Sequence, residues 1–211
     1  MRYFSLLILA GLLVCSLAAC LGNRQVNAAC RRDGGLRIQE RVSADGLWVQ
    51  EQTFQSLCDL CIELVATGQF NYVDFKSPSG GMHYPLAPGY YRASLGRRDD
   101  PACFGFPSIR GFAADACLVL TALPGEPQSG YAFRVDSDGV GETDPNTGQF
   151  LADTSITYEV IDVRRHAAVA TFRQYKHAHY LSRLAGGTLT FDACPKELLG
   201  RMDFLKSVFN R

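Results

Sequence analysis

The cysteines decide which folds are open to this chain. Its 211 residues include eight cysteines. Six of them follow residue 20, namely Cys30, Cys58, Cys61, Cys103, Cys117 and Cys194. An even set of this kind forms disulfide bonds in an oxidising compartment, whereas in the cytosol such thiols stay reduced or bind metal. The compartment therefore determines how strongly the backbone is crosslinked.

The first twenty residues have the organisation of a secretory signal. Arg2 supplies a positive charge, and the run from Phe4 to Ala19 contains only Ser5 and Ser16 as polar residues. As a helix this run is about 24 Å long, short of the roughly 30 Å hydrocarbon core of a bilayer. The segment is predicted to direct secretion rather than to span a membrane.

The end of this run, Leu17-Ala18-Ala19-Cys20, resembles the lipobox of bacterial lipoproteins, in which a small residue precedes an invariant cysteine. The resemblance implies that residues 1–19 are a lipoprotein signal peptide that is removed by cleavage. It also implies that the Cys20 thiol carries diacylglycerol and that the new amino terminus is acylated, for instance with palmitate. Two or more such chains make membrane anchoring stable.

The residue after the lipobox cysteine bears on localisation. Leu21 stands where an Asp would signal inner-membrane retention in enteric lipoproteins. The resemblance therefore implies an outer-membrane lipoprotein that faces the periplasm, with the inner membrane and the cell surface left open. The alternative is cleavage by ordinary signal peptidase at Ala28-Ala29, before Cys30.

The rest of the chain predicts one disulfide-stabilised α+β domain over residues 31–211, joined to the lipid by a tether at residues 20–30. Alternating apolar and polar residues predict a strand at 36–42, and apolar spacings of three and four predict a helix at 50–67. Further strands are predicted at 70–75, 90–95, 116–123, 130–135, 154–163, 167–175 and 188–191. Residues 195–210 predict a C-terminal amphipathic helix with Pro195 in its first turn. We expect an antiparallel sheet with one helix after the first strand.

The six cysteines allow fifteen disulfide pairings. A bridge between Cys103 and Cys117 is favoured because they flank a short loop, and a Cys30–Cys194 bridge would join the two ends of the domain. Each bridge contributes roughly 2–4 kcal/mol of stability.

Cys58-Asp59-Leu60-Cys61 is a CxxC motif. A redox pair requires the first cysteine at a helix N-terminus, where the helix dipole lowers the thiol pKa. The helical pattern begins upstream and places Cys58 inside the helix, so the prediction is two structural thiols that each bridge elsewhere. A redox pair and a zinc site are the alternatives.

Two other clusters carry weak metal-binding signals. Asp136, Asp138 and Asp144 have the oxygen ligands that Ca²⁺ prefers, although two consecutive turns need the same residues. His177 and His179 share one face of a strand and, with His166 or Asp192, would form a transition-metal site; an exposed polar strand explains them equally well. No metal or other cofactor is expected.

Composition and motifs exclude several functions. Lys plus Arg and Asp plus Glu number 21 each, which leaves no electrostatic reason to expect a nucleic-acid partner. The chain contains no GxSxG, HExxH or SxxK motif and no phosphate-binding glycine loop. Aromatic residues near the proline-rich loops would form a recognition patch if exposed, or otherwise fill a core edge: Tyr84, Tyr90, Tyr91, Phe104 and Phe106.

The general pattern is similar to small envelope lipoproteins of Gram-negative bacteria, a group whose resemblance implies no activity. It rests on Cys-Arg-Arg-Asp-Gly-Gly from residue 30, the CxxC motif, and Cys-Pro at residue 194. The sequence favours a non-enzymatic binding role toward an envelope protein, a cell-wall component or a foreign effector. The alternative is an envelope enzyme that uses a His-centred metal site or the CxxC thiol pair.

Overall fold

The computed structural model describes residues 27–50, 58–78, 86–104, 115–138, 153–179, 190–196 and 199–210. Within them lie three short helices: α1 over 27–33, α2 over Asp59–Ala66 and α3 over Arg201–Val208. Ten strands accompany them: β1 Gly35–Ile38, β2 Gly46–Val49, β3 Tyr72–Ser77, β4 Gly89–Arg97, β5 Cys103–Phe104, β6 Ala116–Leu123, β7 Tyr131–Asp138, β8 Asp153–Asp162, β9 Ala167–His179 and β10 Thr190–Cys194. None of the described helices is long and apolar enough to cross a membrane.

The strands form one mixed sheet in the order β1-β9-β8-β7-β2-β3-β4-β6-β5, with β10 paired to β9. Strand β2 runs parallel to both β3 and β7, whereas the β3–β4, β4–β6, β5–β6 and β9–β10 pairs are antiparallel. The predicted α+β fold with an antiparallel sheet is therefore wrong. The described chain is mostly β-structure, and its sheet is mixed.

The error has a physical cause. Alternating side chains indicate a strand but not its direction. The chain leaves β2, passes through helix α2 and returns in β3, and a crossover of this kind brings neighbouring strands into parallel order. The four residues of β2 were too short to be recognised, so α2 was expected after the first strand; it follows the second.

The chain divides into two compact units. The larger unit contains the described residues within 37–135, 158–171 and 199–211. Helix α2 packs on β3 and β4, and Phe204 of α3 packs against Phe133 of β7 with ring centroids 6.0 Å apart. Fully or almost fully buried apolar side chains form its core: Leu47, Val49, Leu60, Ile62, Leu64, Val65, Val73, Phe75, Ala93, Leu118, Phe133, Phe204, Leu205 and Val208.

The smaller unit contains the described residues within 1–36, 136–157 and 172–198. Its helix α1 includes the last residues of the predicted tether, and Cys30 of that helix is bonded to Cys194 of β10. Asp33 accepts hydrogen bonds from the Tyr175 hydroxyl at 2.7 Å and from Nη1 of Arg173 at 3.0 Å. These bonds join α1 to β9.

Candidate functional site

Three neighbouring strands of the larger unit place polar or charged side chains in one row. Trp48 on β2 is in register with Asp74 on β3, which is in register with Arg92 on β4. Side chains alternate along a strand, so Asp74 lies on the opposite face of β3 from its apolar neighbours Val73 and Phe75. The row therefore belongs to the sheet face opposite the core residues of β3.

Asp74 and Arg92 form a paired ion bridge in this row. Nε of Arg92 donates to Oδ1 of Asp74 at 2.7 Å, and Nη2 donates to Oδ2 at 2.9 Å. The Ser129 hydroxyl donates to the same Oδ2 at 2.8 Å. Asp74 is fully buried, and a buried carboxylate is tolerated only when its oxygens are paired in this way. Asp74 thus fixes the orientation of the Arg92 side chain.

The guanidinium of Arg92 is only partly used by this pair. Its central carbon lies 3.8 Å from the centroid of the Tyr72 ring, and 37% of its side chain is exposed. An arginine has five N–H donors, and within the described part of the chain Nη1 donates to no acceptor. The hydrogen bonds with Asp74 raise the pKa of Arg92, so the group stays charged. The result is a fixed cation whose Nη1 donors have no acceptor among the described residues.

Arg92 and the turn at residues 123–128 line a cavity of about 400 Å³. We call it the Arg92 cleft. Leu123, Pro124 and Pro127 supply apolar walls, and Glu126 supplies a carboxylate. The Tyr90 hydroxyl donates to Oε1 of Glu126 at 3.0 Å, which leaves Oε2 able to accept. The cleft therefore presents both a cation and an anion.

Tyr90 keeps its proton in this arrangement. Partial burial and the hydrogen bond to Glu126 raise the pKa of its phenol. The Nζ atom of Lys76 lies 5.6 Å from the centre of the same ring. Tyr90 therefore acts as a stable donor that holds the Glu126 carboxylate. Of the predicted aromatic patch, Tyr90 and Tyr91 are half-buried, and Tyr84 and Phe106 lie outside the described residues.

The CxxC motif differs from its prediction. Cys58 and Cys61 are bonded to each other, with Cα atoms 5.1 Å apart, instead of each bridging elsewhere. Cys58 is the N-cap of α2, with extended backbone angles, and its sulfur accepts the backbone N–H of Cys61 at 3.1 Å. The prediction that Cys58 lies inside a helix is wrong; residues 51–57, which carried that pattern, lie outside the described residues. Both sulfur-bearing residues are buried.

Of the other four described cysteines, two form a disulfide bond and two are free thiols. The predicted Cys30–Cys194 bond is confirmed. The predicted Cys103–Cys117 bond is not formed, and both residues are free thiols. Cys103 pairs with Val119, so Cys117 lies diagonally across the ladder on the same face. Burial and the hydrogen bond with Cys103 raise the pKa of Cys117 to about 11. Cys117 also donates to the carbonyl of Arg97 at 3.1 Å.

The predicted metal ligands lie partly in the smaller unit and, for His166, in the larger unit. Asp136 is exposed on β7, Asp138 is the last residue of that strand, and Asp144 lies outside the described residues. On β9, His177 is in register with Asp192 of β10, and His179 is in register with Thr190. His166 lies in the turn between β8 and β9. Among the described side chains, no three His, Cys, Asp or Glu residues are grouped to hold a metal ion. Cys20 precedes the described residues.

The Asp74–Arg92 pair was missed by the sequence reasoning. A signal was present, because Asp74 on β3 and Arg92 on β4 each stand among apolar and aromatic neighbours and carry opposite charges. Such residues in the middle of adjacent strands indicate a cross-strand ion pair. Recognising it requires the register of β3 against β4, which no local pattern supplies.

Comparison of the chain with protein-family models, with curated proteins and with solved structures finds no match.

Proposed function

We propose that this chain is a lipid-anchored lipoprotein of the Gram-negative envelope, held at the outer membrane and facing the periplasm, with a non-enzymatic binding role. The observation that carries the proposal is the lipobox-like segment Leu17-Ala18-Ala19-Cys20 after a short apolar run. Each buried methylene contributes about 0.8 kcal/mol, so the acyl chains on Cys20 would hold the protein at a membrane.

The disulfide bonds support an extracytoplasmic location. Cys30–Cys194 and Cys58–Cys61 are both formed. Bonds of this kind persist in the periplasm and are rare in the cytosol. The Arg92 cleft supports a binding role, because it combines a fixed guanidinium, a carboxylate and apolar walls. The partner would be an envelope protein or a cell-wall component.

Metabolic labelling tests the anchor. Cells that express the full chain are fed an alkynyl analogue of palmitate, and the purified protein is examined for label and by mass spectrometry of its first peptide. We expect label on the native chain and on Cys15→Ala, and none on Cys20→Ala. Cys15 is the matched control because it lies inside the apolar run. Label that persists in Cys20→Ala, or a native amino terminus without lipid, contradicts the proposal.

A second candidate function is thiol–disulfide exchange at Cys58–Cys61. The observation in its favour is that Cys58 is the N-cap of α2, where the helix dipole stabilises a thiolate. In such a step, a thiolate of a partner dithiol attacks one sulfur and the other leaves as thiolate. The second partner thiol then resolves the mixed disulfide. The partner is oxidised, and Cys58 and Cys61 gain two electrons and two protons.

Because Cys58 and Cys61 are buried, we rank thiol–disulfide exchange below the binding role. Cys58 is 6% exposed and Cys61 is fully buried, so a partner thiolate has little access to either sulfur. The test equilibrates the native protein in redox buffers from about −300 to −120 mV, traps thiols by alkylation and reads both bridges by mass spectrometry. Selective reduction of Cys58–Cys61 before Cys30–Cys194 supports exchange. Reduction only after denaturant is added rules it out.

A further inference from the structure

We propose that the Arg92 cleft binds a small zwitterion, namely an amino acid or short peptide whose carboxylate contacts Arg92 and whose ammonium contacts Glu126. The inference deepens the proposed binding role by naming a ligand class. It is independent of the lipid anchor, so loss of label at Cys20 and loss of ligand binding test different statements.

Binding of the ligand carboxylate depends on the fixed orientation of the Arg92 side chain and on its unused donors. A guanidinium matches a carboxylate through parallel N–H donors. Asp74 occupies Nε and one donor of Nη2, while Nη1 has no acceptor among the described residues. The Tyr72 ring below and the buried carboxylate beside it fix the plane of the group. A fixed guanidinium loses little conformational entropy when an anion binds.

The ammonium half rests on Glu126. Its side chain lines the same cleft, and Tyr90 holds only Oε1, so Oε2 remains as an acceptor. Glu126 is exposed, whereas the charge of Asp74 is offset by Arg92 and its Oδ2 also accepts from the Ser129 hydroxyl. A simple anion would meet an unfavourable charge at Glu126, and a simple cation would leave the unused N–H donors of Arg92 without an acceptor. A ligand that carries both charges can bind Arg92 through its carboxylate and Glu126 through its ammonium.

The size and lining of the cleft agree with a dipeptide. A volume of about 400 Å³ falls within the range of small-molecule sites, roughly 300–1,000 Å³. Leu123, Pro124 and Pro127 offer apolar contact to short side chains between the two charged ends. Since the prolines restrict the backbone of the turn, the turn loses less conformational entropy when a ligand binds.

The experiment titrates the full chain, in detergent micelles, with alanyl-alanine by isothermal calorimetry. We expect a Kd at or below about 1 mM. Alanyl-alanine amide, which lacks the carboxylate, and N-acetyl-alanyl-alanine, which lacks the ammonium, should each bind at least about tenfold more weakly. The L,L and D,D isomers are run side by side. The tighter isomer gives the stereochemistry that the cleft prefers.

Two variants assign the contacts. Glu126→Gln, at an exposed position, should abolish the preference for the free over the acetylated dipeptide while the preference over the amide persists. Arg92→Lys keeps the charge but not the parallel donors and should reduce the preference over the amide, with folding checked by circular dichroism. Arg134→Met and Glu159→Gln, which change a surface ion pair of the same unit, are the matched controls and should bind like the native chain.

The proposal is overturned by equal affinity for the three dipeptides, or by no binding up to about 10 mM, which is too weak for a specific contact of this kind. An unchanged preference in Glu126→Gln overturns the zwitterion even if Arg92→Lys weakens binding. Because Glu126 takes no part in the buried ion pair, this outcome does not depend on whether the Arg92 variant folds.

Discussion

Asp74 and Arg92 share two hydrogen bonds across β3 and β4, yet the environments of the two residues differ sharply. Asp74 has no exposed surface, whereas 37% of the Arg92 side chain reaches solvent. An isolated charge costs far more inside a protein than at its surface. The pair should therefore respond differently to the loss of each partner.

Arg92→Met should destabilise the larger unit more than Asp74→Asn does. Without Arg92, the buried Asp74 carboxylate retains only the Ser129 hydroxyl, and loss of one partner of a buried pair costs about 3–5 kcal/mol. Without the Asp74 charge, Arg92 is hydrated through its exposed part, so the cost falls to about 1–2 kcal/mol. Urea unfolding followed by the fluorescence of Trp48, the single tryptophan, measures both. Equal losses of unfolding free energy in the two variants would contradict the difference in burial between Asp74 and Arg92.

Two buried serines should respond in opposite directions to the same substitution. The Ser129 hydroxyl donates to Asp74 at 2.8 Å, whereas the Ser77 hydroxyl has no hydrogen-bond partner within the described part of the chain. Ser129→Ala removes a charge-assisted bond and should lower the free energy of unfolding by about 1.5–3 kcal/mol. Ser77→Ala removes an unsatisfied buried group and should raise it by up to about 1 kcal/mol. Both are read from urea midpoints, and a loss of stability in Ser77→Ala would mean that its hydroxyl is bonded.

The sequence predicted elements better than their arrangement. The strand at 116–123 coincides with β6 because its apolar run is continuous and ends at Pro124-Gly125. Strand β2 was missed because four residues show too little alternation to register as a strand. The direction of β2 depends on the crossover through α2, a relation between elements that no local window contains. That is why the sheet was expected to be antiparallel.

The same holds for the site residues, which the sequence predicted better one by one than in their contacts with each other. The Cys30–Cys194 bond followed from the positions of these residues near the two ends of the domain. The Cys58–Cys61 bond did not, because apolar spacings upstream suggested one long helix, whereas α2 begins after Cys58. Asp74 and Arg92 are separated by 18 residues and meet only through the register of two strands. The cleft is formed by Arg92 and the turn that follows β6, and the amino-acid composition does not predict that a cavity lies between them.

The turn between β8 and β9 should make stability depend on pH. Asp162 accepts the backbone N–H groups of Arg164 and Arg165 and the side chain of Arg165, and these bonds lower its pKa from 3.8. Since the folded pKa lies below the unfolded value, the stabilisation is present above pH 3.8 and is lost as the pH falls through the folded pKa. Asp162→Asn should therefore lower the urea midpoint at neutral pH, and its difference from the native chain should shrink as the pH falls through the folded pKa of Asp162. A constant difference between the two proteins at every pH would show that Asp162 acts without titrating.

The two free thiols should differ in reactivity although they are neighbours. Burial and the hydrogen bond with Cys103 raise the pKa of Cys117 to about 11, so only about one molecule in a thousand carries its reactive thiolate at pH 8. Cys103 is partly exposed, whereas Cys117 is buried on β6. Iodoacetamide should therefore modify Cys103 at least about tenfold faster in the native protein, and denaturant should equalise the rates. Timed alkylation followed by peptide mass spectrometry measures both rates, with Cys103→Ser as the control that reports Cys117 alone. Faster alkylation of Cys117 in the native chain would reverse the assignment of the protected thiol.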